Sequence, residues 1–256
     1  MTANDYLEKI LLKYGARDYT PYKIEINKLL ELLEEWANTC YLDILPSWSR
    51  AKWTAISLCS DYDYMVSLTS RCNENLWLES IFNSLYDKLK KHYINVRKQN
   101  VSCRITLWEL EIDITPARKL PWNTNDHIIY SSKKNTWTKT NIQKHINDIS
   151  NSWRLKEIKI LKIWRELRNL DIPSIYLEYL IIEILKWKST SALAENVMFI
   201  LNEFWKNTNN PLFTKIIDPA NTNNILSDLL TNKEKSEIIN SATIASKKPY
   251  RENIVR

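Results

Sequence analysis

Apolar positions recur at helical spacing near both ends of this chain and alternate through much of its first half. Residues 2–14 and 22–38 read as amphipathic helices. In the second, Ile26, Leu29, Leu30, Leu32 and Leu33 line one face, while Glu31, Glu34 and Glu35 take polar positions. LDI at 42–44 is a short strand candidate, followed by the loop PSWSRAKWT. The alternation in DYDYMVSL predicts a strand over 61–68 with Asp61 and Asp63 on one face. Helical spacing returns over 76–93. Asn100–Leu107 and Leu110–Thr115 read as strands, the second stopping at Pro116, and 117–140 reads as polar and irregular.

From residue 141 the period changes to that of a helix. Leu155–Leu167, Ser174–Lys186, Ser191–Trp205 and Lys233–Ala245 are helix candidates, and Pro173 stands where a helix start tolerates it. The pattern predicts an α+β protein: a mixed-sheet domain over 1–150, then a helical domain over 151–256.

Composition adds few constraints. The chain has 256 residues, 44% hydrophobic and 26% charged, enough for a substantial core. Its formal charge of +6 suits an anionic partner such as a nucleotide or RNA, and equally an ordinary basic surface. Cys40, Cys59, Cys72 and Cys103 show no CxxC spacing and read as buried reduced thiols. Neither a secretion signal nor an apolar run of about 18 residues is visible, so the expected location is cytoplasmic, with no membrane partner.

One quantity is abnormal. Gly15 is the only glycine, against eleven tryptophans, whereas glycine usually makes up about 7% of a chain. Trp122 after Pro121, Trp153 in NSWR and Trp187 in KWKS stand where turns would ordinarily place glycine. The pattern is that of a fold whose glycine positions have been overwritten.

The candidate chemistry lies in carboxylates. Aspartates at i, i+2 on a strand point the same way, so Asp61 and Asp63 can share divalent metal, as phosphoryl and nucleotidyl transfer require. Asp113, an acid among Leu110, Ile112 and Ile114, is the candidate third ligand, because a charge in apolar surroundings needs a partner. DxD alone is short and common, and ordinary surface aspartates are its plain alternative. Upstream, Ser49, Thr54 and Ser60 supply hydroxyls suited to a triphosphate.

SWSRAKWTAISLCSDYDYMVSL at 47–68 resembles the polymerase-beta-like nucleotidyltransferase signature, in which Gly-Ser and then Gly-Thr lead into Ser-Asp-x-Asp. Trp48–Ser49 and Trp53–Thr54 match the two pairs; Ser60, Asp61 and Asp63 match the end. EIDITPAR at 111–118 resembles the segment bearing the third carboxylate, Asp113. NTWTKTNIQKHI, EIKILKIWRE, PSIYLEYLI and DPANTNNI follow in the order seen in bacterial cyclic dinucleotide and oligoadenylate synthase-like (cGAS/DncV-like) enzymes. The resemblance spans roughly residues 40–248. It implies Mg²⁺ or Mn²⁺ on Asp61, Asp63 and Asp113. It further implies ATP or another NTP held by Ser49, Thr54, Ser60, Lys162 and Ser174, with Tyr176 near the nucleotide.

Several readings stay open. The resemblance implies transfer of a nucleoside monophosphate to a hydroxyl, with cyclic nucleotide synthesis in antiviral defence as the nearest activity. Poly(A) or tRNA-end addition shares that chemistry. Tryptophan at the loop glycines favours instead a catalytically impaired nucleotide- or RNA-binding protein. Without the resemblance Lys162 reads as a solvated helix lysine. Lys133, Lys134, Lys139 and Lys144 around Trp137 form either an RNA grip or a solvated linker. Arg104 and Arg118 flank Asp113 and could neutralise it or reach phosphate. Base, acceptor, linkage and oligomeric state are not legible.

Overall fold

The computed structural model describes residues 2–46, 49–59, 62–71, 77–122 and 124–247. Among them the helices are α1 (Ala3–Lys13), α2 (Lys23–Ala37), α3 (Leu78–His92), α4 (Ile142–Ser150), α5 (Leu155–Leu167), α6 (Ser174–Ile184), α7 (Leu193–Phe204) and α8 (Asn232–Ser246). The strands are β1 (Tyr41–Pro46), β2 (Tyr62–Leu68), β3 (Val96–Lys98), β4 (Cys103–Leu107), β5 (Leu110–Lys119), β6 (His127–Ser131), β7 (Thr136–Thr140), β8 (Ile217–Asp218) and β9 (Asn221–Ile225). The architecture is α+β. Two compact units are drawn from it: a sheet unit from Arg17–Lys52 and Ser60–Ile146, and a helical unit from Met1–Ala16, Trp53–Cys59 and Asn147–Arg256.

In the sheet unit the strands run in the order β1-β2-β5-β4-β3, with β6 added to β5 and β7 to β6. β2 and β5 are parallel; the other pairs are antiparallel. Side chains alternate across a strand, and the burial follows. Val66 and Leu68 of β2, Ile105 of β4, and Ile112 and Ile114 of β5 join Leu29 and Leu33 of α2 and Phe82, Leu85 and Leu89 of α3 in one core. The opposite face carries a smaller core of Met65, Ala117, Ile129 and Ile142. Asp63 and Asp113 stand on that second face.

β5 runs through Pro116, where the sequence reading ended it. Proline lacks an N–H and is costly in a central strand. Here β5 pairs with β4 up to Ile114 and with β6 from Ala117, so Pro116 falls where one neighbour hands over to the next. The stretch expected to be irregular holds the β6–β7 hairpin, whose polar, exposed outer strand hides the period of two. β3, β8 and β9 were also not anticipated: β3 and β8 are too short to show a period, and β9, NTNNI, is polar up to its last residue.

The helical unit buries one large core, including Trp164, Tyr176, Leu177, Ile200, Leu201 and Phe204. α1 and α8 open with capping boxes, Thr2 with Asp5 and Thr231 with Glu234, each satisfying otherwise unbonded amides. Arg154 donates to the carbonyls of Leu185, Lys188 and Ser189 at 2.7, 2.5 and 3.1 Å, completing the end of α6. α1 and residues 53–59 belong with this unit although α1 precedes every sheet strand and 53–59 fall between β1 and β2 in sequence. No helix among the described residues is long and apolar enough to cross a membrane.

Candidate active site

Strand register lines up charges across the sheet. Asp63 on β2 pairs with Asp113 on β5, Asp113 with Arg104 on β4, and Arg104 with Arg97 on β3. Register partners share a face, so two carboxylates stand side by side with a guanidinium beside them. Arg104 grips Asp113 from Nε to Oδ1 at 2.9 Å and from Nη2 to Oδ2 at 2.7 Å, and its Nη1 donates to Glu111 at 2.7 Å. The hydrogen bond to Asp113 holds Arg104 above the ordinary arginine range against the opposing effect of burial, with the charges of Asp113, Glu111 and Asp63 adding to it. Asp63 and Asp113 are both half-buried, so the row is sheltered without being sealed from solvent.

Such a pair can hold a divalent cation. The donors are anionic oxygens on rigid neighbouring strands, the chemistry Mg²⁺ and Mn²⁺ prefer, and Arg104 already balances charge there. Asp61, the third carboxylate implied by the resemblance, lies outside the described residues, as do Ser60 and Trp48. Among the described residues no three histidine, cysteine or acidic side chains form a metal set. Ser49 sits in the turn after β1, and Trp53, just ahead of Thr54, has φ 61°.

The helical unit contains a second polar cluster. Lys162 of α5 donates from Nζ to Thr54 Oγ1 at 2.9 Å and to Glu178 Oε1 of α6 at 2.5 Å, and Thr54 Oγ1 donates to the same Glu178 oxygen at 2.9 Å. All three residues are at most 1% exposed. Lys162 is therefore not the solvated lysine its helix pattern alone would give. Glu178 was missed in the sequence, though an acid inside IYLEYLII is the same signal that singled out Asp113.

The remaining expected residues fall nearby in the chain. Ser174 opens α6 and accepts from Arg165 Nη1 at 2.9 Å. Tyr176 is buried in the helical core, its hydroxyl donating to the Leu212 carbonyl at 3.4 Å, and burial pushes that phenol well above its ordinary range.

Other expectations are corrected. Cys40 is disulfide-bonded, a pairing that depends on tertiary approach and leaves no mark in CxxC spacing. Cys59 and Cys103 are free; Cys72 lies outside the described residues. Lys133 and Lys134 occupy the exposed turn of the β6–β7 hairpin and Lys139 pairs with Asp126, so the stretch is not a linker. Trp187 has no positive φ, whereas Trp122 and Trp153 do, joined by Trp53 and Trp108.

A further pair lies in the sheet unit, where Ser67 Oγ stands 2.8 Å from His127 Nε2 and His127 Nδ1 stands 2.9 Å from the Asn125 carbonyl. A carbonyl only accepts, so Nδ1 carries the proton and Nε2 accepts from the serine. Desolvation by burial depresses the His127 pKa, partly opposed by that backbone hydrogen bond.

No family model and no curated protein sequence matches the chain. Solved structures do. CdnC of E. coli MS115-1 with ATP superposes with a TM-score of 0.73 at 19% identity, over 97% of this chain and 93% of that one. CdnG of Bradyrhizobium diazoefficiens, a CD-NTase in complex with GTP, gives 0.72 at 10% identity over 100% and 96%. E. coli DncV in its 3'-deoxy GTP bound form gives 0.63 at 12% over 83% and 68%.

Proposed function

The chain has the polymerase-beta-like nucleotidyltransferase fold of the bacterial CD-NTases, and we propose that it is a nucleotidyltransferase of that type. It moves a nucleoside monophosphate from an NTP to a hydroxyl and releases pyrophosphate, making a cyclic nucleotide that serves antiviral defence. The observation carrying this reading is the direct register pairing of Asp63 with Asp113 on parallel strands. It sets two carboxylates on one face of a sheet whose neighbours in other proteins were solved with ATP and GTP.

On this reading Asp63 and Asp113, with Asp61, hold Mg²⁺ or Mn²⁺. When bound, the metal supplies charge neutralisation for the transferring phosphate. Arg104 fixes the Asp113 carboxylate through two hydrogen bonds and keeps its charge tolerable while no cation is present. The triphosphate roles of Ser49, Thr54, Ser60, Lys162 and Ser174, and the place of Tyr176 near the nucleotide, are what the resemblance implies. In the structure Lys162 and Thr54 are buried against Glu178, and Tyr176 is buried in the helical core.

A pyrophosphate-release assay with each of the four NTPs, and Mg²⁺ or Mn²⁺, tests this. Asp113→Asn should abolish turnover while the variant still folds cooperatively, melting somewhat lower because Arg104 loses a charged acceptor. Equal turnover by parent and variant would end the proposal.

A second reading, a nucleotide-binding protein with impaired catalysis, draws on Trp53. Its φ of 61° lies in the loop leading to Thr54, where backbone amides would have to approach phosphate. NTP titration separates the two readings: binding without turnover in the unsubstituted protein, with turnover in Trp53→Gly, favours the second.

A further inference from the structure

Among the described residues, eight that are not glycine have positive φ: Asn38, Asn135, Asn169, Asn209, Trp53, Trp108, Trp122 and Trp153. Asparagine tolerates the left-handed region because its short amide bonds locally to the backbone. Tryptophan has no such compensation, and its Cβ meets the steric penalty that only glycine escapes.

The turns identify what these positions require. Trp108 and Glu109 form the two-residue loop between β4 and β5, with positive φ at the first residue only, the form that takes glycine there. Trp122, at φ 97°, follows Pro121, and the Pro-X turn of this kind takes glycine second. Trp153, at φ 59°, lies just beyond the end of α4, where glycine commonly ends a helix. Trp53 stands in the turn before Thr54.

The indoles recover nothing for this strain, being 69%, 78%, 85% and 81% exposed at 53, 108, 122 and 153. Two other tryptophans are placed as tryptophan ordinarily is. Trp164 is 1% exposed in the helical core, and Trp36 donates from Nε1 to Ser84 at 3.0 Å, neither with positive φ. The one glycine, Gly15, does not need to be glycine: a Cβ there would meet Leu11 O at 3.4 Å and Leu12 O at 3.5 Å, ordinary contacts, and its φ is not positive.

Decay of a catalytic loop does not account for this. Trp108, Trp122 and Trp153 lie in a hairpin, an interstrand turn and a helix end, and random substitution would not choose one residue type at all four places. We infer that Trp53, Trp108, Trp122 and Trp153 are glycine positions, and that the polypeptide made in the protein's own cell carries glycine at each. A single cause covers all four: a codon that yields tryptophan under one genetic code and glycine under that cell's code. The inference rests on backbone geometry and stands apart from the proposed activity.

Peptide mass spectrometry on the protein purified from its native cell reads the four residues directly. Glycine is expected at all four, and tryptophan at any of them overturns the inference. A second measurement uses recombinant chains with all four positions as tryptophan, alanine or glycine. Alanine removes the indoles but keeps the left-handed penalty, so the glycine chain should melt higher than the alanine chain by roughly 5–10 °C. Trp187→Gly, at an exposed position without positive φ, should give no such rise. Equal melting of the alanine and glycine chains would overturn the assignment. Neither readout involves nucleotide turnover.

Discussion

Arg104 holds Asp113 by both carboxylate oxygens, at 2.9 and 2.7 Å, from the adjacent strand. The grip explains how two aspartates in register can sit together before any cation arrives. Arg104→Gln should leave Asp63 and Asp113 repelling each other, at a cost of about 1–3 kcal/mol in divalent-free buffer. Adding Mg²⁺ or Mn²⁺ should then raise the variant's melting temperature more than the parent's. Thermal melts with and without EDTA check this, and an identical cation response in the two proteins would contradict it.

The Lys162–Glu178 pair is fully buried, so breaking it from one side takes a counter-charge away from a buried ion. Glu178→Gln or Lys162→Met alone should destabilise the protein by about 3–5 kcal/mol. Lys162→Met combined with Glu178→Leu should recover much of that loss, because both buried charges of the pair are then gone. Urea unfolding of the four proteins gives the coupling directly. Additive losses would mean the pair acts as two independent residues.

His127 contributes a pH dependence of defined sign. Its folded pKa lies below the ordinary 6.5, so the unfolded chain binds the proton more readily. The contribution to stability is present above 6.5 and is lost as pH falls from there through the folded value. Urea midpoints measured between about pH 8 and pH 5 should therefore fall more steeply in the parent than in His127→Gln, which cannot titrate. Parallel profiles would remove His127 from the account.

Cys59 is a free thiol beside Arg165 and Glu166, with Sγ 3.2 Å from Arg165 Nη2 and 3.1 Å from Glu166 Oε1. Despite the arginine, burial chiefly pushes its pKa up to about 11. At about pH 8 its thiolate fraction should be roughly 100-fold below that of an ordinary cysteine thiol. Iodoacetamide labelling followed by peptide mapping should show correspondingly slow modification, accelerating as pH rises towards 11. Fast labelling near neutral pH would show that the arginine outweighs the burial.

Local pattern alone determined the long helices and the central strands of this protein. The spacing of Ile26, Leu29 and Leu33 requires a buried helix face, and the acid between Ile112 and Ile114 requires a partner, whatever surrounds them. The oddity of a chain with one glycine was equally visible in composition. Tertiary structure decided the rest, because it depends on residues far apart in sequence. Only strand pairing sets Asp63 opposite Asp113 and Arg104 beside them. Only the helical core brings Thr54 to Lys162 and Glu178 across separations of 108 and 124 residues, and so draws residues 53–59 into a unit otherwise built from the chain's two ends. Backbone dihedrals, finally, divided the tryptophans: Trp187 was suspected and is ordinary, whereas Trp108 was not and is left-handed. The reason is that a turn's φ is set by the strands it must join, and a single residue's identity does not report it.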